Sequence, residues 1–327
     1  MQICCRRETL LEGSIVFMEK NKIILDTDPG NDDLLAIIMA LKSDLIEVRG
    51  LTIVGGNASL ENTTNNALSL LTYMDRIEVP VYVGDSSALN EISTSAEEFD
   101  DFKSHRIEIH GETGLHVPLP KSNIEPKEMH AVDFIISEAE SNKGALSLVP
   151  IGPLTNIAMA IKKEPNLANW IQGIHLMGGA INVPGNVTQY AEFNIYCDPV
   201  AANEVLSSGI KIKLCGLDIT RGTFVEREDT NWLGGNSLGE QLIRHLLDSV
   251  FKKLPDRNRF SLHDPITVLS VLYPELIEWE MYDVSVVCSG PNFGQTIGTP
   301  NAEGSVAVGV NIDRELAKLK ISEILAT

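Results

Sequence analysis

Short β-branched and aliphatic runs recur along the chain, and a longer stretch of helical periodicity follows most of them. The runs are Ile23–Leu25, Leu51–Val54, Val81–Val83, Leu146–Val149, Ile174–Met177 and Ile212–Leu214. Runs this short and this largely apolar read as strands covered on both faces, the pattern of a parallel sheet with crossover helices. The intervening stretches predict helices over Leu34–Lys42, Glu61–Met74, Ala131–Ser141, Asn156–Lys163 and Pro199–Ser207, with Gly209 as a stop after the last. Residues 229–254 read as a largely helical insertion, and 282–310 return to strand. The expected fold is therefore α/β: a Rossmann-like, doubly wound, mostly parallel sheet with helices on both faces. Residues 21–327 are expected to form one domain, and residues 1–20 a dispensable N-terminal extension.

Composition narrows the partners. The 327 residues are 43% hydrophobic, enough for a sizeable core, yet no apolar run approaches the roughly 20 residues of a membrane helix. The piece Gly13–Met18 behind Arg6 and Arg7 is too short for a signal-peptide core. Five cysteines without metal-like spacing, among them the adjacent Cys4 and Cys5, fit reduced thiols and a cytoplasmic location. A formal net charge of -19 argues against nucleic-acid and anionic-membrane partners and leaves small molecules or cations as ligands. Glu97–Asp101 reads as a solvated acidic loop.

Polar clusters follow the strands: Asp26–Asp33, Gly55-Gly56-Asn57, Pro150-Ile151-Gly152, Gly178-Gly179 and Gly216-Leu217-Asp218. In open α/β sheets the ligand crevice lies beyond the carboxyl ends of the strands, so these clusters are expected to converge on one rim. The first of them, Asp26-Thr27-Asp28-Pro29-Gly30-Asn31-Asp32-Asp33, places four carboxylates within eight residues. An N-cap with acidic first-turn residues accounts for one or two of them, and the rest require a cation or a polar ligand. An EF-hand loop counted from Asp26 would need Gly and Glu where Asn31 and Ile37 stand, so that motif is excluded. Two readings stay open on this stretch alone. One is a phosphatase using Asp26 and Asp28, the other a cation site built from Asp28 and Asp33 with distant oxygens that activates water. His263-Asp264-Pro265 before an apolar helix is weak evidence alone, more often a cap than a site. Glu192 and Asn194, two apart, share one face if their segment is extended, with Phe193 and Ile195 turned to the core; with Asn186 they suit the hydroxyls of a sugar.

Together these segments resemble the calcium-dependent nucleoside hydrolases of the inosine-uridine preferring group. The matching pieces are Ile24–Asp33, Thr52–Asn57, Ile109–Leu115, Leu148–Asn156, Met177–Gly179, Ala191–Ile195 and His263–Pro265, which span nearly the whole chain. The resemblance implies one calcium ion held by Asp28, Asp33, Asp264 and the backbone carbonyl of Ile151, with Asp28 also the general base and Asn57 beside it. It further implies that Asp32, Asn186, Glu192, Asn194 and Asp264 bind the ribose. His110 and His263 match the base-side histidines of the inosine-uridine and pyrimidine-preferring members, and the chain is expected to form dimers or tetramers. Two departures stand out. The family usually continues Asp-Gly-Pro after Gly-Leu, whereas this chain has His116-Val117-Pro118, and the loop before His263 carries Arg257, Arg259 and Phe260 but no tyrosine.

The expected reaction is hydrolysis of the N-glycosidic bond of ribonucleosides. Positive charge builds on the ribose as that bond breaks, so a carboxylate rim stabilises the transition state. A histidine supplies the proton of the departing base near neutral pH, His263 being the better placed beside Asp264. The rival readings are a metal-dependent phosphatase and an inactive nucleoside- or sugar-binding homologue. Phosphorylated substrates are disfavoured because no glycine-rich phosphate loop with lysine is present and an acidic rim repels phosphate.

Overall fold

The computed structural model describes residues 19–86 and 107–327, together with the paired stubs Leu10–Leu11 (β1) and Ser14–Ile15 (β2). The acidic loop at 97–101, Cys4, Cys5 and most of the expected N-terminal extension lie outside the described residues.

A nine-stranded sheet forms the centre of the fold. Its strands are β3 (Asn21–Thr27), β4 (Ile46–Ile53), β5 (Val81–Val83), β6 (Leu146–Pro150), β7 (Ile171–Met177) and β8 (Ile212–Cys215), then β11 (Ile277–Val286), β12 (Thr296–Pro300) and β13 (Val306–Ile312). Between β8 and β11, a separate antiparallel hairpin pairs β9 (Phe224–Glu226) with β10 (Arg259–Ser261). The sheet order is β12-β11-β13-β8-β7-β6-β3-β4-β5, and within it only β11 runs against its neighbours. The expected mostly parallel α/β sheet is thus observed.

Alternation along β3 shows why both faces carry helices. Ile23 and Leu25 enter one apolar cluster and Ile24 enters the other, all fully buried. The first cluster is built with α1 (Asn31–Lys42), α2 (Leu60–Tyr73), and four helices that follow β8 in sequence. The second is built with α3 (Ala131–Ser141), α4 (Thr155–Lys163) and a helix at Pro199–Leu206. The remaining helices, in chain order, are α5 (Leu167–Trp170), α6 (Phe193–Cys197), α7 (Pro199–Leu206), α8 (Leu217–Thr220), α9 (Leu238–Lys253), α10 (His263–Leu272) and α11 (Arg314–Ala326). The expected insertion corresponds to a 3₁₀ turn at Arg227–Trp232 followed by α9. Its start is set by a capping box in which Ser237 and Glu240 satisfy each other's main-chain N–H.

Two boundaries differ from the sequence reading for a physical reason. β4 begins at Ile46, five residues earlier than its apolar half, because Arg49 is paired with Glu138 of α3 and with Glu47 of its own strand. Glu192–Asn194 is not extended: Glu192 caps α6 by accepting from Ile195 N, and Phe193 is half-exposed instead of buried. From β3 the chain winds outward to β4 and β5 on one side and later to β6, β7 and β8 on the other, so β3 and β6 flank the switch point where ligands bind.

Candidate active site

Asp28 leaves the carboxyl end of β3, and the turn that follows folds the first residues of α1 back onto it. Thr27 Oγ1 donates to Asp33 Oδ1 at 2.6 Å and Gly30 N donates to Asp33 Oδ2 at 2.9 Å. Asn57, just beyond β4, joins the two acids. Its main-chain N donates to Asp28 Oδ2 at 2.6 Å, and its Nδ2 donates to Asp33 Oδ2 at 2.9 Å and to the Asp28 carbonyl at 3.2 Å. Asp264, the second residue of α10, comes in from the far end of the chain, and carboxylate oxygens of Asp32, Asp33 and Asp264 lie within 4.8 Å of one another.

Asp28, Asp33 and Asp264 are buried and Asp32 is half-buried. Burial, and after it the neighbouring carboxylates, hold Asp28 and Asp264 well above the usual range; burial and then Asp33 push Asp32 up to about 7. Asp33 is raised by burial, against the hydrogen bonds it accepts from Thr27 and Gly30. Like charges this close stay ionised together only around a cation. Asp28 Oδ1 is a buried carboxylate oxygen with no hydrogen-bond partner, and the surrounding donors are hard oxygens. That donor set fits a divalent cation of the calcium or magnesium type.

Ile151 follows β6 directly, across the switch point from Asp28. Asn194 Nδ2 donates to the Ile151 carbonyl at 3.0 Å and to the Met177 carbonyl at 3.2 Å, which leaves the second lone pair of Ile151 O for another partner. Two glycines make room for Asp28. A Cβ on Gly56 would stand 2.1 Å from Asp28 Oδ2, and one on Gly152 would stand 2.5 Å from Oδ1. Asp26 has a different place. Its Oδ1 accepts from Thr52 Oγ1 at 2.5 Å and from Asn156 Nδ2 at 2.9 Å, and burial pushes its carboxyl up to about 7. It braces β3, β4 and α4.

A cavity of about 390 Å³ opens above these groups. Asp32, Asn57, Ile151, Asp264, Asn186, Glu192, Asn194, His110 and His263 all line it, while Asp28 and Asp33 sit beneath. Glu192 Oε2 accepts from Gly179 N at 3.0 Å and Ile195 N at 3.2 Å, and burial pushes its carboxyl up to about 7. Asn186 Oδ1 accepts from Phe193 N at 2.9 Å. Phe193, expected in the core, lines the cavity with its ring 6.2 Å from that of His110.

His263 opens α10, and its Nδ1 shares a hydrogen with Thr220 Oγ1 at 2.8 Å. Burial, then the nearby charges of Arg221 and Arg257, push the ring down to about 4. A ring held this low favours the neutral imidazole, in contrast to the readily protonated acid that the sequence reading expects. Arg221, Arg257 and Arg259 also line the cavity. Arg257 and Arg259 stand in the loop already noted for its lack of tyrosine. Arg221 was missed; its one signal is its position three residues after the polar strand-end cluster Gly216-Leu217-Asp218. Asn31 was missed as well, hidden inside the aspartate octet.

Buried carboxylates that could hold a metal ion, set at the switch point of a mostly parallel α/β sheet, are the kind of site a metal-dependent hydrolase uses. The chain belongs to the inosine-uridine preferring nucleoside hydrolase family, whose sequence model matches residues 23–318. It is 36% identical over 309 residues to the pyrimidine-specific ribonucleoside hydrolase RihB of Escherichia coli K12, covering 91% of this chain and 95% of that one. Among solved structures it resembles a plant nucleoside hydrolase, PpNRh1, with a TM-score of 0.83 and 32% identity over 94% of this chain and 99% of the other. It resembles equally a purine-preferring ribonucleoside hydrolase from Gardnerella vaginalis, with a TM-score of 0.83 and 33% identity over 93% and 99% of the two chains. The chain is accordingly an enzyme that hydrolyses the N-glycosidic bond of ribonucleosides. No helix among the described residues is long and apolar enough to cross a membrane.

Proposed function

We propose that this enzyme releases ribose and free base with Asp28 as general base and calcium as its ion, and that it prefers uridine, cytidine and inosine. The observation that carries the reading is the unpartnered, buried Asp28 Oδ1, which feels the charges of Asp32 and Asp33; these two form an oxygen-only cluster with Asp264. Asp28, Asp33, Asp264 and the Ile151 carbonyl would hold the ion, and calcium suits them because it accepts carboxylate and carbonyl oxygens in flexible number. When bound, the ion supplies Lewis acidity that makes water nucleophilic near neutral pH.

The chain's own groups do the rest. Asp28 takes the proton of the attacking water. Asp32, Asp264, Asn186, Glu192 and Asn194 receive the ribose hydroxyls, and their carboxylates face the positive charge that grows on the sugar. Asn194 also keeps the Ile151 carbonyl in place. His263, held through Nδ1 by Thr220 Oγ1, hydrogen-bonds the departing base, and His110 meets the base from the other side. Similarity to the pyrimidine-specific RihB and the two matched histidines support the base preference. Residues 21–327 act as one domain, residues 1–20 are dispensable, and the enzyme works in the cytoplasm as a dimer or tetramer.

Ribose release from uridine, cytidine, inosine and adenosine, and phosphate release from uridine 5′-monophosphate, test this assignment. Uridine is expected to exceed adenosine in kcat/KM by about tenfold or more, the discrimination one base pocket supplies. Faster adenosine cleavage overturns the base preference. Phosphate release in place of ribose overturns the reaction, a pointed control because three arginines line the cavity.

A further inference from the structure

His116 stands where the chain departs from its family's usual Asp-Gly-Pro, and it is buried outside the cavity. Its ring Nε2 lies 2.8 Å from the carbonyl oxygen of Ile109. A carbonyl only accepts, so Nε2 carries the proton and donates it. The bond closes the loop from Ile109 to His116 on itself, and that loop presents Ile109 and His110 to the cavity.

The main chain of the same residue is anchored independently of its side chain. His116 N donates to Asn31 Oδ1 at 3.0 Å, at the start of α1. The His116 carbonyl accepts from Ser249 Oγ at 2.5 Å and from Lys253 Nζ at 3.3 Å, both on α9. One end of the loop is therefore pinned between two helices whatever side chain stands there; Asn62 and Asn66 of α2 hold the Glu112 and Thr113 carbonyls in its middle, and the imidazole ties the Ile109 end to the pin. The loop's turn passes against this ring: Gly111 has a φ of 75°, and a Cβ there would lie 3.6 Å from His116 Cε1 and Nδ1. An ionised aspartate in this place has no proton to offer the Ile109 carbonyl.

We infer that His116 is a positioning residue that holds His110 against the nucleobase by donating from Nε2 to the Ile109 carbonyl. The inference rests on the reading of His110 as a base contact. It makes the His-Val-Pro sequence a device by which this chain sets its leaving-group pocket, with no part in binding the ion or the ribose.

The test compares uridine with 4-nitrophenyl riboside, whose leaving group offers no nucleobase for His110 to contact. His116→Ala is expected to lower kcat/KM for uridine roughly tenfold, the effect of losing one neutral hydrogen bond, while 4-nitrophenyl riboside changes by less than about twofold. His116→Gln, whose amide can donate to the same carbonyl, is expected to restore most of the uridine activity. In the His110→Ala background, His116→Ala is expected to cost nothing further on uridine, the non-additivity of residues acting through one another. Where the alanine variant does not fold, His116→Met fills the space without a donor and takes its place. Equal losses on the two substrates, or full additivity with His110→Ala, would overturn the inference. If His110→Ala lowers the uridine to aryl riboside ratio and His116→Ala does not, only the inference falls. If His110→Ala leaves that ratio unchanged, the base-contact reading falls and the inference falls with it.

Discussion

The main-chain N–H of Asn57 grips Asp28 Oδ2 at 2.6 Å, whereas the other oxygen of that carboxylate, Oδ1, is buried without a hydrogen-bond partner. One oxygen is held and the other kept in reserve, which is the division a metal-ligating base requires. Asp28→Asn keeps an acceptor for Asn57 but loses the charge and the basicity. It is expected to lower kcat/KM for uridine roughly 10³-fold, within the range of general-base removal, with a thermal melt that shows an intact fold. Asp26→Asn, two residues away, keeps a side-chain acceptor for Thr52 and Asn156 and is expected to cost less than about threefold. Similar losses in the two variants would contradict the division of roles.

Gly152→Ala probes the same carboxylate without touching its chemistry. The new Cβ would stand 2.5 Å from Asp28 Oδ1 and 3.0 Å from Val54 Cγ1, so the carboxylate must rotate or the strand end must shift. Activity is expected to fall by about 10²-fold or more, together with calcium affinity measured by titration calorimetry, since a displacement near 1 Å at a reacting group has that scale. Retention of both would show that Asp28 is not confined as described.

His175 supplies a pH dependence remote from the reaction. On β7, its Nδ1 lies 2.7 Å from Ser270 Oγ of α10, and Ser270 gives its one proton to the Thr267 carbonyl at 2.7 Å. His175 Nδ1–H is therefore the donor. Burial, then Lys213 on the neighbouring strand, push the ring down to about 3. Between pH 3 and the ordinary histidine value of 6.5 the unfolded chain binds a proton that the fold does not, so stability rises with pH across that window and levels off above it. Urea melts of wild type and His175→Asn at pH 7, 6, 5 and 4 are expected to converge as pH falls, by at most about 1.4 kcal/mol per pH unit. Parallel curves would mean that His175 is not buried neutral.

The middle of the sheet was legible in the sequence because both of its faces are dry: Ile23–Leu25 is wholly apolar, and Leu146–Val149 carries one small polar residue, Ser147, which is itself buried. The first half of β4 was not, since Glu47 and Arg49 read as a solvated segment until Glu138 arrives from α3 to pair the charge. The aspartate octet announced a cation because four like charges in eight residues have few other outcomes. Glu192–Asn194 misled because alternating Phe193 and Ile195 look like a strand, whereas the structure uses Glu192 as a helix cap. Arg221 joins the cavity only through the packing that brings the end of α8 beside α10, and the same packing silences His263. Arg221 and His263 are distant in sequence, and their meeting leaves no local pattern.

The central claim is that one calcium ion, held by Asp28 and its partners, makes ribose release possible. Ribose release from uridine, measured after exhaustive chelation and again after calcium is returned, tests it most directly. Activity is expected to fall by about 100-fold or more on chelation and to recover with calcium, while Asp28→Ala stays inactive in both states. Calcium should also raise the thermal midpoint, because an ion bound by the fold alone stabilises it by about 2.7 kcal/mol at a free concentration 100 times its dissociation constant. Undiminished ribose release after chelation, or full activity of Asp28→Ala in calcium, would contradict the account.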